Sequence, residues 1–211
     1  MSTDQRPSAL PDTKQVRSEL STRQLIQAAS ALIAEQGYDR TTLASIGRRA
    51  GYSHGLVTQR FGSKEGLLAA LIEYTRRGWD TMVTRADPDG APGPEVITGF
   101  IASTRRNIRE APDLMRGVFA LIFEAFKPIP TLHEEMSTMH DEVRHQVEHE
   151  LRRGIAAGTI RPVDPDGYAR FFLSVMRGFE FQWLLEPDTF DIDRSLAWFA
   201  AHVRESLAPV R

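Results

Sequence analysis

TTLASIGRRAGYSHGLVTQRFGSK, residues 41–64, contains two short helical patterns that meet at Ala50-Gly51-Tyr52-Ser53. The first pattern puts Leu43, Ile46 and Ala50 on one side, three and four residues apart. The second begins after Ser53 and spaces Leu56, Val57, Arg60 and Phe61 in the same way. Two helices joined by a short turn bearing Gly form a helix-turn-helix, and the second helix of that motif fits the major groove of DNA.

Charge points the same way. From Arg40 to Lys64 there is no Asp or Glu, while Arg40, Arg48, Arg49, Arg60 and Lys64 all fall inside. With 28 acids in 211 residues, a window of that length should hold about three, so their absence suggests an anionic partner. Helices favour Asp or Glu in the first turn, against the positive end of the dipole. Here the expected starts at Thr42, His54 and Lys64 carry hydroxyl, imidazole and ammonium, although Glu65 follows Lys64. A docked phosphate would suit such starts.

As a set, these residues resemble the DNA-binding domain of the TetR (tetracycline-repressor) family of bacterial transcription regulators. The likeness covers about the first seventy positions. It is carried by Leu25, Ile26, Ala28, Ala29, Leu32 and Ile33, then Gly37-Tyr38, Thr41-Thr42 and Ile46. It continues through Ala50-Gly51, Ser53, Gly55, Phe61 and Ser63-Lys64-Glu65 to Leu67-Leu68. The chain departs from the family pattern at Thr58, where Tyr is usual, at Tyr52, where Val is common, and at Gly47, where Ala is common.

The whole chain carries a net charge of −2, which becomes informative once divided. Residues 1–86 hold 12 Lys/Arg against 8 Asp/Glu, and the remainder holds 14 against 20. A basic first third joined to an acidic remainder suggests one DNA-facing module and one with another task. Cysteine is absent, which removes disulfides and thiol chemistry. No apolar run resembles a signal peptide or reaches membrane-spanning length, so a soluble, cytoplasmic protein with no membrane partner is expected.

In chain order, residues 1–17 read as a disordered arm, in which Arg6, Lys14 and Arg17 could meet phosphates but Asp4 and Asp12 dilute the charge. Residues 18–64 read as the helix-turn-helix domain, its first helix ending at Gln36 with one apolar stripe of Leu25, Ile26, Ala29, Leu32 and Ile33. A fourth helix over 63–85, capped by Ser63, carries Leu67, Leu68, Leu71, Ile72, Trp79, Met82 and Val83 and links to the second module. DPDGAPGP at 87–94 interrupts it with three prolines and two glycines. Helices are then expected at about 94–110, 112–126, 130–157, 165–185 and 191–207, and no strand signal appears. The expected fold is all-α: a three-helix DNA-binding domain joined by the fourth helix to a C-terminal helical domain over 65–211.

Within that second module, 112–126 and 168–185 are apolar on more than one side, and so need a cavity or a second subunit besides the core. The resemblance implies both a ligand pocket there and a homodimer formed by the last two helices. Met115, Phe119, Phe123, Met176 and Trp183 are candidate pocket residues, which would suit an apolar or aromatic effector. Gly178, Phe179, Gln182, Trp198 and Val203 are candidates for the dimer contact. Any one of these aromatics also reads as ordinary core.

His133, His140, His145 and His149 share one expected helix, and the last two stand four apart, a spacing able to chelate a metal. Their surroundings (HEEMSTMHDEVRHQVEHE) read instead as a solvated face. The sequence therefore points to a ligand-responsive regulator, most simply a repressor, on a near-palindromic double-stranded DNA operator. His54, Gly55, Thr58, Gln59 and Arg60 are placed to meet bases or adjacent phosphates, and Thr42, Ser53 and Lys64 to hold phosphates. No cofactor, metal or catalytic residue is expected. The rival readings are a metal-dependent helical-bundle enzyme using 133–150, and a helical ligand carrier without DNA activity.

Overall fold

The structure is a computed structural model that describes residues 13–86 and 93–209, except for the side chains of 13–15 and 77–86. Most of the expected arm (with Arg6 and the side chain of Lys14), residues 87–92 of the Pro/Gly break and the side chains of Trp79, Met82 and Val83 lie outside the described residues. All regular elements described are helices: α1 (Thr13–Gln36), α2 (Leu43–Ala50), α3 (His54–Phe61), α4 (Lys64–Ala86), α5 (Pro94–Glu110), α6 (Pro112–Glu124), α7 (Pro130–Ala156), α8 (Pro165–Leu185) and α9 (Ile192–Leu207). The expected all-α class holds.

Prolines set four of the nine described helix starts. α5, α6, α7 and α8 each open on Pro, whose locked φ suits a first turn and whose missing N–H would have no partner there anyway. Two ends differ from expectation. α1 starts at Thr13, so residues 13–17 are helical rather than part of an arm; nothing between Pro11 and Ser18 breaks a helix. α6 ends at Glu124, which leaves Phe126 in the following turn and 87% exposed, not in the apolar face.

Two buried clusters share α1 and α4. Leu25, Ala28, Ala29 and Leu32 of α1 pack with Ile46, Val57 and Leu67 into a small core that fixes α2 and α3. Ile26 and Ile33, on another side of α1, join Leu68, Leu71 and Ile72 in the large core with α5–α9. The expected single stripe on α1 is therefore two faces. Fully buried Phe119, Phe172 and Phe199 anchor the large core, each contributing about 1.5–3 kcal/mol by leaving water.

α1 also lies close against α6. Ser30 Oγ donates to the Leu114 carbonyl at 2.7 Å, and a Cβ on Gly117 would stand 2.3 Å from the Ser30 carbonyl oxygen. Only glycine at 117 permits that approach. Arg105 and Arg109 bind Asp193 at 2.8 Å, fastening α5 to the start of α9. Arg76 reaches Glu142 at 2.8 Å and ties α4 to α7.

Candidate nucleic-acid interface

The corner between α2 and α3 follows from local chemistry. Thr42 caps α2 in a capping box, its Oγ accepting from Ser45 N at 3.1 Å while Ser45 Oγ accepts from Thr42 N at 3.0 Å. Gly51 ends α2 with φ 76°, a left-handed conformation that costs glycine least. Ser53 then caps α3, its Oγ accepting from Leu56 N at 3.2 Å. A Cβ on Gly47 would meet the Tyr52 carbonyl oxygen at 2.8 Å and Val57 Cγ2 at 3.2 Å, so the departure from Ala lets the two helices close tightly.

α3 divides into two faces. Val57 is fully buried, and Leu56 and Phe61 are partly so. His54, Gly55, Thr58 and Gln59 are exposed along one stripe, the arrangement a groove-reading helix needs. Thr58 Oγ and His54 Nε2 lie 3.4 Å apart on this face. Thr42 and Ser53 are exposed at the helix starts beside it. Each hydroxyl oxygen accepts a backbone N–H, and the Ser53 O–H has no acceptor among the described residues and can donate to an anion.

Arg60 is placed differently from the sequence expectation. Its Nη1 donates to the Ser18 carbonyl at 2.6 Å, to Ser18 Oγ at 2.9 Å and to Thr22 Oγ at 2.5 Å, all on α1. The guanidinium thus braces α3 against α1 instead of extending from the exposed stripe. Lys64 is also engaged: Nζ donates to the Asp39 carbonyl at 3.1 Å and lies 4.1 Å from the centre of the Tyr38 ring. Burial lowers its pKa, against the pull of Asp39, Glu65 and Glu124. Arg49 forms two hydrogen bonds with Glu35, at 2.6 and 2.7 Å, which hold the Glu35 carboxyl below its ordinary value. Arg48, exposed at the end of α2, has no such partner among the described residues.

The partners of Arg60 and Arg49 lie on α1, and no spacing rule could have identified them. Tyr52 adds another tie to α1, its hydroxyl donating to Gln24 Oε1 at 2.6 Å.

The five candidate pocket residues do not line one cavity. Phe119 and Trp183 are buried against each other edge to face, with centroids 6.0 Å apart. Phe123 is half-buried against Phe181 at 5.5 Å. Met115 lines an open cleft between α1, α4, α5 and α6. Met176 alone of the five lines a small, partly open cavity between α5, α7 and α8, alongside Phe100, Ser103, Phe172, Arg177 and Glu180. Glu180 is 3% exposed; burial raises its pKa against the opposing effect of Arg177, which donates to Glu180 Oε2. The one mark this cavity leaves in the sequence is a carboxylate, Glu180, inside the aromatic run FEFQW, which sequence reasoning missed.

Among the candidate dimer residues, Val203 is fully buried on the inner stripe of α9 with Leu196, Phe199 and Leu207, so it faces its own core rather than a partner. Phe179 is half-buried against the rings of Phe190 and Phe199. Gln182 is exposed, and a Cβ on Gly178 would meet nothing within 4 Å. Trp198 of α9 is 65% exposed and stacks on His202, and Phe171, Phe181 and Leu185 of α8 are exposed as well.

Two of the α7 histidines have separate partners. His133 Nδ1 lies 3.1 Å from the Ala125 carbonyl, and Arg144 Nη2 contacts His145 Nε2 at 2.8 Å. His140 has its pKa lowered by burial, then by Arg177, Arg144 and Arg170 against Asp141. Among the described residues no group of three His, Asp or Glu side chains is placed to hold a metal ion. No described helix is long and apolar enough to cross a membrane.

Comparison with known proteins places these features in context. Residues 25–71 match the family described as bacterial regulatory proteins, tetR family, and residues 101–208 match the BetI-type transcriptional repressor C-terminal family. A BetI regulator from Burkholderia cenocepacia is 42% identical over 67 residues, covering 32% of this chain and 34% of that protein. One from Burkholderia mallei is 38% identical over 76 residues, covering 36% and 39%. The chain thus spans little more than a third of the length of the relatives it matches.

Among solved structures, SmeT in complex with triclosan superposes with a TM-score of 0.73 at 24% identity, covering 90% of this chain and 92% of that one. SmeT is described as the repressor of the Stenotrophomonas maltophilia multidrug efflux pump SmeDEF. A TetR regulator from Chloroflexus aurantiacus gives 0.72 at 22% identity, covering 92% and 100%. At such identities these likenesses speak for the fold. With the N-terminal pattern over the helix-turn-helix and the C-terminal pattern over just over half of its length, the chain belongs to the TetR family of bacterial regulatory proteins, with a C-terminal region of BetI type.

Proposed function

We propose that this protein is a ligand-responsive transcriptional repressor that binds a near-palindromic DNA operator as a homodimer and is released by a small, largely apolar effector. The observation that carries this reading is the exposed stripe of His54, Gly55, Thr58 and Gln59 on α3, inside a stretch free of Asp and Glu. Gln59 can pair with adenine along its Hoogsteen edge, while Ser53, Arg48 and Lys64 supply donors to phosphates and Thr42 does so by turning its O–H away from Ser45 Oγ. Arg60 acts by fixing the angle of α3. The exposed apolar side chains on α8 and α9 support a symmetric partner, with Trp198, Gly178 and Gln182 at the contact and Val203 behind it. Two copies of α3 about 34–36 Å apart would meet successive major grooves. An effector that prefers another spacing would release DNA in proportion to its difference in affinity for the two arrangements.

A gel shift with the DNA upstream of the protein's own gene tests this reading. Retardation that survives competition by unrelated DNA is expected. Equal competition by any sequence would favour a helical ligand carrier instead.

A further inference from the structure

The cavity between α5, α7 and α8 has a charge balance that restricts what it can hold. Phe100, Val143, Phe172 and Met176 form apolar walls, and Ser103, Thr104, Arg177 and Glu180 are its polar groups. Arg177 and Glu180 neutralise each other through the bond from Nη1 to Oε2. A cationic or anionic ligand would arrive without a counter-charge, and an uncompensated buried ion is strongly disfavoured.

Ser103 is 3% exposed, and its hydroxyl has no hydrogen-bond partner among the described residues. Arg177 Nε is likewise buried without one. Arg76 and Arg116 also carry an unpartnered Nε, so the weight rests on Ser103, whose hydroxyl alone is in this state among the described residues. Thr104 Oγ, by contrast, donates to the Phe100 carbonyl at 3.1 Å. Two residues that line this cavity thus each carry a buried donor with no acceptor among the described residues, and buried polar groups in native proteins are rarely left so.

We propose that this cavity binds a neutral, apolar, aromatic-sized molecule bearing one hydrogen-bond acceptor oxygen, which receives Ser103 O–H and Arg177 Nε–H. This rests on reading the C-terminal helices as the effector domain, and it specifies the effector's chemistry. The cavity itself is about 30 Å³, enough for a water molecule or two. Entry therefore requires a wall to move, and Met176, unbranched and flexible, is the side chain able to do so.

The test uses the full chain and four matched probes: acetophenone (neutral, with a carbonyl), ethylbenzene (neutral, no acceptor), benzoate and benzyltrimethylammonium. Calorimetric titration should show acetophenone binding at least about tenfold more tightly than the others. Ser103→Ala should weaken acetophenone about tenfold while leaving ethylbenzene unchanged. It should not lower the melting temperature, because the hydroxyl it removes makes no hydrogen bond in the folded protein. Tightest binding of benzoate or benzyltrimethylammonium, no binding of any probe, or acetophenone affinity unaffected by Ser103→Ala would each overturn the proposal. Gel shifts run in parallel separate it from the regulatory reading. Acetophenone bound through Ser103 with DNA affinity unchanged keeps the site and removes its regulatory role.

Discussion

The backbone N–H of Tyr38 donates to Glu124 Oε2 at 2.8 Å, across 86 residues of sequence. Tyr38 stands just after α1, at the entrance to the helix-turn-helix, and Glu124 is the last residue of α6. With the Ser30–Leu114 bond and the close approach at Gly117, it makes the α1–α6 seam a tight direct contact between the helix-turn-helix and the C-terminal helices. Lys127 holds the other carboxylate oxygen at 3.2 Å and keeps Glu124 aimed.

Glu124→Ala leaves that N–H without its partner and should lower stability by about 1–2 kcal/mol. It should also shrink the difference in DNA affinity with and without effector, since that difference is a coupling free energy carried by packed contacts. Urea melts give the first number, and operator titrations with and without ligand the second.

Gly117→Ala is the sharper test of the seam. The added Cβ would sit 2.1 Å from Ser30 Oγ and 2.3 Å from the Ser30 carbonyl oxygen, so backbone must yield. A loss of about 2–3 kcal/mol in chemical denaturation is expected. A neutral result would mean that α1 and α6 are not packed this closely.

Arg60 and Gln59 should separate cleanly despite being neighbours. Arg60→Ala removes three contacts to α1 and should weaken binding to all DNA sequences alike, with a loss of stability of about 1–2 kcal/mol. Gln59→Ala should leave the melt unchanged and relax discrimination at one base position by about 1–3 kcal/mol. Lys64→Ala should reduce the salt slope of binding by about 1. Anisotropy titrations over a panel of operator variants check all three.

Acid should loosen the α5–α9 junction. Hydrogen bonds from Arg105 and then Arg109 lower the Asp193 pKa from 3.8 to about 2. A depressed carboxylate stabilises the fold above its unfolded pKa and loses that contribution as pH falls through the folded value. Asp193 is partly exposed, with 38% of its side chain accessible, so the contribution is about 1 kcal/mol after solvent screening. Asp193→Asn should therefore cost stability at neutral pH and flatten the stability profile between about pH 4 and 2.

What the sequence made legible was local. The α2–α3 corner was readable because Thr42, Gly51 and Ser53 work within a few residues of their partners. The starts of α5–α8 were readable because each is a proline. Long-range partners left no such mark: Arg60 looked like a base reader until Ser18 and Thr22 were found beside it. Val203 and Trp198 were equally apolar on paper, and only the packing of Phe199 and Leu196 shows which stripe of α9 turns inward. The cavity escaped notice because Ser103 resembles any serine on a helix until its neighbours are known.

The central claim is that two copies of the exposed face of α3 read DNA about a dyad. Hydroxyl-radical footprinting of the upstream DNA tests it most directly. The expected result is two protected patches related by two-fold symmetry, centred one helical turn of about 10–10.5 bp (or a multiple of it) apart, both lost when effector is added. A single unsymmetrical patch, or protection that ignores sequence, would contradict it.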